Sequence, residues 1–110
     1  MDGSVGSGGS VTISSGSGAV SSGRMTISSS ESGASGSVDI HSGDSSVGSA
    51  GAVQLRSGNA HAGQSGNIDV FSGQSAIGKG SDVHLEAGSS LSADAPGGDL
   101  ILENTLPTLN

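Results

Sequence analysis

Apolar residues recur along this chain in pairs separated by one residue, and the pairs return about every 15 residues. The clearest copies occupy residues 51–58 and 66–73 and follow the pattern Gly-x-Val-x-Ile-x-Ser-Gly. These apolar pairs are Val11/Ile13, Met25/Ile27, Val38/Ile40, Val53/Leu55, Ile68/Val70, Val83/Leu85 and Leu100/Leu102. Their first members follow one another at steps of 14, 13, 15, 15, 15 and 17 residues. A near-constant period of this size is typical of a stacked repeat.

Alternation with a period of two places both side chains of an apolar pair on one face of an extended strand. β-Branched residues dominate the pairs, and polar residues such as Thr12, Asp69 and His84 separate their two members. No stretch shows the 3.6-residue periodicity of a helix. We therefore predict an all-β fold: a single parallel β-solenoid (β-helix) of roughly seven coils, each about 15 residues long. The handedness of the coil does not follow from the pattern.

The strands of this predicted solenoid need corners between them. Ser-Gly follows four of the apolar pairs, at residues 15–16, 42–43, 57–58 and 72–73, and glycine permits the positive φ of a tight corner. A second, weaker inward strand is predicted at 45–48, 60–63 and 75–78, where Val47, Ala62 and Ile77 precede glycine. The coil core is thin, so we expect a lone array to be marginally stable and to belong to a longer array or an oligomer.

The last part of the chain departs from the repeat. Residues 93–98 lengthen one corner, Pro96 cannot donate to a strand ladder, and Ile101 stands where earlier repeats carry polar residues. We predict a β-solenoid repeat array over 1–95, then a terminal coil and capping tail over 96–110. The tail would cover the C-terminal end, whereas residues 3–9 leave the N-terminal end open to end-to-end association.

Composition and charge narrow the possible partners. The chain has 110 residues with 21 glycines and a formal net charge of −7, and its only cations are Arg24, Arg56 and Lys79. This balance argues against nucleic acid, whose binding depends on phosphate neutralisation, and against anionic membrane surfaces. No apolar run approaches the length that crosses a bilayer. A Gly/Ser-rich chain also fits a flexible linker, an alternative that the regular placement of the apolar pairs argues against.

Candidate chemistry is sparse. The chain has no cysteine, and its three histidines, His41, His61 and His84, are not spaced for convergence on a metal. Residues 97–99, Gly-Gly-Asp, match part of a calcium-binding nonapeptide only once. Phe71 is the single aromatic residue, and we predict that it covers the stems of neighbouring side chains; a cation–π pair with Arg56 or a small contact point for a partner is the alternative. With no nucleophile elbow and no phosphate loop, we predict no enzyme activity, no catalytic, cofactor-binding or metal-site residues, and no cofactor.

The repeat also resembles a known class of sequence. Residues 3–92 are similar to the Ser/Gly-rich repeats of very large secreted and cell-surface proteins of algae and related protists. They are similar, more loosely, to the β-roll heads of trimeric autotransporter adhesins. The resemblance implies an extracellular or cell-surface location and a non-catalytic structural role in a filament, a matrix or an adhesive protein. The partners expected for that role are neighbouring repeats, copies of the chain joined end to end, and surface glycans or matrix.

Ice binding is the alternative function. Insect and grass antifreeze proteins are thin β-solenoids of similar coil length that work through flat ladders of small polar residues. Thr12 and Thr26 begin such a ladder here, but Asp39, Gln54 and Asp69 continue it. Because these columns are mixed, we favour the structural role.

Overall fold

The computed structural model describes residues 6–106, and this part of the chain contains neither helix nor β-strand. The prediction of an all-β, single parallel β-solenoid is therefore wrong. The chain divides into two units, Met1–Gln54 and Leu55–Asn110. Residues 3–5 of the predicted open N-terminal end and residues 107–110 of the predicted capping tail fall outside the described residues, and the predicted domain division at residue 95 stays a prediction.

The described residues enclose no hydrophobic core. Every member of the apolar pairs is exposed, and the pairs predicted to face inward most firmly are Val53 at 59%, Leu55 at 76%, Ile68 at 49% and Val70 at 65% exposed. The predicted burial of these side chains is thus also wrong. A physical reason lies in the composition of the repeat, since stacking would order some 15 residues, many of them glycine, for every two large apolar side chains buried.

The 15-residue period nevertheless reappears in the backbone. The chain bends once between successive apolar pairs, at 19–20, 32–34, 46–48, 61–63, 76–79 and 93–95. Val47 and Ile77, predicted to point inward from a second strand, lie within these bends and are 98% and 94% exposed. The second strand is therefore replaced by a turn of the chain.

Positive φ angles mark two of these bends rather than the Ser-Gly steps. Gly63 has φ 147° and Gly78 has φ 86°, and each lies within its bend. None of the four Ser-Gly glycines adopts a positive φ. The prediction that the Ser-Gly steps form the corners is therefore wrong, and the tight geometry lies five residues further along the chain.

Each bend belongs to a loop that begins just after one apolar pair and ends just before the next. We number these segments loop 1 (16–23), loop 2 (29–36), loop 3 (42–51), loop 4 (57–66), loop 5 (72–81) and loop 6 (88–98). Four of the six are closed at the neck, where their two arms meet through a hydrogen bond. The described chain is thus a succession of exposed apolar pairs and short loops.

Candidate functional site

The loop necks are the most organised features of the described chain. Loop 3 is closed by the Ser42 hydroxyl, which donates to the Gly51 carbonyl at 2.8 Å. Loop 5 is closed in the same way by Ser72, which donates to the Ser81 carbonyl at 3.0 Å. A serine four residues after the start of an apolar pair therefore holds the chain nine residues further on.

Backbone groups close the other two necks. In loop 1, the Gly23 amide donates to the Gly16 carbonyl at 2.9 Å, and in loop 6 the Gly98 amide donates to the Gly88 carbonyl at 2.8 Å. A glycine is needed at the neck of loop 6, because a Cβ on Gly97 would lie 2.9 Å from the Gly88 carbonyl oxygen. At the neck of loop 1 a Cβ on Gly23 would make only ordinary contacts, so the steric need for glycine is specific to loop 6.

Burial follows the same positions. Four residues in the described part of the chain are half-buried, and all four stand four residues after the start of an apolar pair: Ser15, Ser42, Ser57 and Ala87. A Cβ built on Gly23 would lie 3.7 Å from the Ser15 Cβ, and one on Gly51 would lie 3.8 Å from the Ser42 Cβ. The loop neck is therefore where the chain comes nearest to forming an interior.

Side chains also support the bends within two loops. In loop 3, the Gly48 amide donates to the Ser45 hydroxyl at 3.0 Å, a local turn that serine commonly makes. In loop 6, the Ser92 and Asp94 amides donate to the hydroxyls of Ser90 and Ser92 at 3.2 and 3.3 Å. Serine hydroxyls thus support these two loops locally.

Each closed loop presents one aliphatic side chain almost entirely to solvent. The four residues are Val20, Val47, Ile77 and Leu91, with exposures between 94 and 103%. Loops 2 and 4, whose arms share no hydrogen bond among the described residues, carry only alanine at the equivalent bend, Ala34 and Ala62. Through loop 5, closed loops with a large aliphatic tip alternate with open loops with a small one.

Within residues 6–106 the titratable groups are exposed and form ion pairs only with residues close in sequence. Lys79 Nζ lies 3.2 Å from Asp82 Oδ1. Lys79 belongs to loop 5, and Asp82 is the first residue after that loop. His84 Nε2 lies 3.2 Å from Glu86 Oε2, and His41 Nδ1 donates to the Ser42 carbonyl at 3.1 Å. Over residues 6–106, no three His, Asp or Glu side chains come together in a group that could hold a metal ion.

The other features considered as candidate sites also lie at separate places along the chain. Phe71 is 85% exposed. Gly98, part of the Gly-Gly-Asp sequence, donates its amide to the neck of loop 6. One shallow surface cleft lies at the start of loop 4 and is lined by Arg56, Ser57, Gly58 and Asn59. No helix in the described part of the chain is long and apolar enough to cross a membrane.

Comparison with known proteins adds no relative: no protein-family model, no curated protein and no solved structure matches the chain. The features that sequence reasoning missed are the necks themselves. Their signal is present in the repeat, as a serine or glycine soon after one apolar pair and a small residue just before the next.

Proposed function

We propose that the chain is a non-catalytic structural repeat module of an extracellular filament, matrix or adhesive protein. One observation carries the proposal: the apolar pairs and loops alternate from Val11 to Leu102 with every large apolar side chain exposed. A surface that repeats one small feature at regular intervals suits many weak contacts along a fibre or matrix. Such a surface is less suited to binding one ligand in a single pocket.

The partners proposed for this role are neighbouring repeats, copies of the chain joined end to end, and surface glycans or matrix. The net charge of −7 opposes contact with nucleic acid and with anionic membranes. An extracellular or cell-surface location is part of the proposal. The many exposed serine hydroxyls and the scarcity of lysine and arginine suit a hydrated matrix.

Localisation provides the test. Antibodies raised against residues 6–106 are applied to intact cells of the source organism and, as the control, to permeabilised cells. The proposal expects equal labelling in both and recovery of the antigen in the wall or matrix fraction. Labelling that requires permeabilisation would overturn it.

Ice binding is the second candidate, and a thermal-hysteresis measurement separates it from the first. Thr12 and Thr26 are exposed, as an ice-contacting ladder requires. The described residues form no strand ladder that would hold such side chains in a flat array. We therefore expect no hysteresis gap, and a clear gap at millimolar concentration would favour the ice-binding function instead.

A further inference from the structure

We propose that the apolar pairs bind a second copy of this chain, which lies alongside the first with an offset of one repeat. The inference rests on the proposed structural role and names the contact surface and the partner within it. It adds a lateral contact to the end-to-end contact already proposed. Within the second unit, the side chains that make this contact are Ile68, Val70, Val83 and Leu85.

The accessible surface area is far larger than that of a compact monomer of the same mass. The chain exposes 11295 Å², more than twice the roughly 5,400 Å² expected of a compact monomer of its 10.3 kDa mass. Because the 21 large apolar side chains measured are all exposed, association is the available route by which they can leave water.

The backbone of the apolar pairs is also unpartnered. Across residues 6–106, the backbone–backbone hydrogen bonds are the two at the necks of loops 1 and 6. The amide and carbonyl groups of 68–70 and 83–85 therefore have no backbone partner within the described chain. Extended segments with free amides and carbonyls pair readily with another extended chain, and alternate side chains then make the contacts.

The period of the repeat favours a second copy over another partner. The pairs that begin at Val38, Val53, Ile68 and Val83 are spaced by 15 residues, so a copy displaced by one repeat brings these pairs against one another. A partner of different sequence would need the same period along its whole length. The regular spacing therefore selects this chain as its own partner.

Charge decides the offset. With no offset in a parallel arrangement, Asp69 would face Asp69, and like charges directly opposite each other are unfavourable. An offset of one repeat places Asp69 opposite His84, and Arg56 opposite Phe71, where a cation–π contact can form. Because the offset leaves one repeat unpaired at each end, the contact is heterologous and a third copy can join.

The test begins with the full chain across a concentration series, followed by sedimentation velocity and far-UV circular dichroism. We expect the mass to rise with concentration and β-sheet signal to appear with it. Association should strengthen between about 50 mM and about 500 mM sodium chloride, because salt screens the repulsion between copies of charge −7. A chain that stays monomeric at millimolar concentration in high salt overturns the proposal.

A matched pair of variants locates the contact. Val70→Asp places a charge in an apolar pair, whereas Ile77→Asp adds the same charge at the tip of loop 5. We expect Val70→Asp to weaken association at least tenfold and Ile77→Asp to weaken it by no more than about twofold. Equal effects of the two variants would exclude the apolar pairs as the contact.

Cross-linking tests the offset. The chain has no cysteine, so Asn67→Cys and Asp82→Cys, each one residue before an apolar pair, introduce unique thiols. Mixed and oxidised, the two variants should form the 67–82 disulfide in preference to 67–67 and 82–82. Preference for the like pairs would overturn the offset. Cell-surface labelling is independent of all three measurements, so failure of the lateral contact is distinct from failure of the structural role.

Discussion

The Ser42 hydroxyl donates a hydrogen bond to the Gly51 carbonyl and brings together two arms of chain nine residues apart. Ser72 and Ser81 repeat the arrangement over the same separation in the other unit. The same serine position thus closes a loop in two repeats, whereas its equivalents Ser15 and Ser57 make no such bond among the described residues. The loop, rather than a coil of strands, is therefore the structural unit of this chain.

Ser42→Ala should open loop 3. The variant removes a hydrogen bond whose net contribution is at most about 1 kcal/mol in an exposed position, so we expect the closed population to fall roughly two- to fivefold. Nuclear Overhauser contacts between Ser42 and Gly51 protons measure the closed form. Ser49→Ala, which removes a hydroxyl from the same loop but not from its neck, serves as the control. Equal loss of these contacts in both variants would count against the role of Ser42.

Gly78→Ala should distort loop 5, whereas Gly73→Ala should not. Gly78 has φ 86°, a conformation that costs an L-residue roughly 1 kcal/mol or more, and Gly73 has no positive φ. A Cβ at either position meets open space, so the two variants differ in backbone strain and not in steric clash. Amide chemical shifts at Ser72 and Ser81 report the change. Similar changes in these chemical shifts in both variants would contradict the placement of the tight corner of loop 5 at Gly78 and not at Gly73.

The monomer should show no cooperative thermal unfolding. Cooperativity requires a shared core, and none of the large apolar side chains measured is buried. Calorimetry of a dilute solution should therefore show no heat-absorption peak, and circular dichroism should change gradually with temperature. Val70→Asp should leave both traces unchanged at that concentration because Val70 is 65% exposed. A sharp transition that Val70→Asp abolishes would contradict this prediction, because it would indicate a buried core that contains Val70.

Trypsin should cleave after Arg24, Arg56 and Lys79 without a lag. All three side chains are exposed and none lies in a helix or strand, so no unfolding step precedes cleavage. We expect rates within about tenfold of those for unstructured peptides of the same local sequence, which serve as the control. Lys79 should be the slowest, since it lies in a bend and pairs with Asp82 at 3.2 Å. If trypsin cleaved any of the three sites more than a hundredfold more slowly than the matching peptide, the site would lie in folded structure and the prediction would be wrong.

The sequence pattern identifies the repeat, and the structure retains its period in the bends and in the half-buried position exemplified by Ser42. The pattern fails at the next level, because alternation defines the face on which Ile68 and Val70 lie but not what covers that face. Closing a loop of about ten residues also costs less entropy than aligning segments 15 residues apart, and a single serine or glycine contact can hold it. The necks could have been anticipated from the small residues that flank each apolar pair. The sequence does not indicate which of the six loops are closed, because Ser57 and Ser72 occupy equivalent positions and only Ser72 forms a hydrogen bond across its neck.

The neck of loop 3 also has a mechanical consequence. While the Ser42–Gly51 hydrogen bond holds, the nine residue steps between its arms contribute almost nothing to the distance that the chain can span. When tension breaks that one bond, roughly 30 Å of chain is released at about 3.3 Å per residue. Since the broken bond is replaced by hydrogen bonds to water, the release is reversible and its energetic cost is small. A series of such loops would lengthen under load and shorten again at rest, so that the chain extends and recovers without cleavage of its backbone.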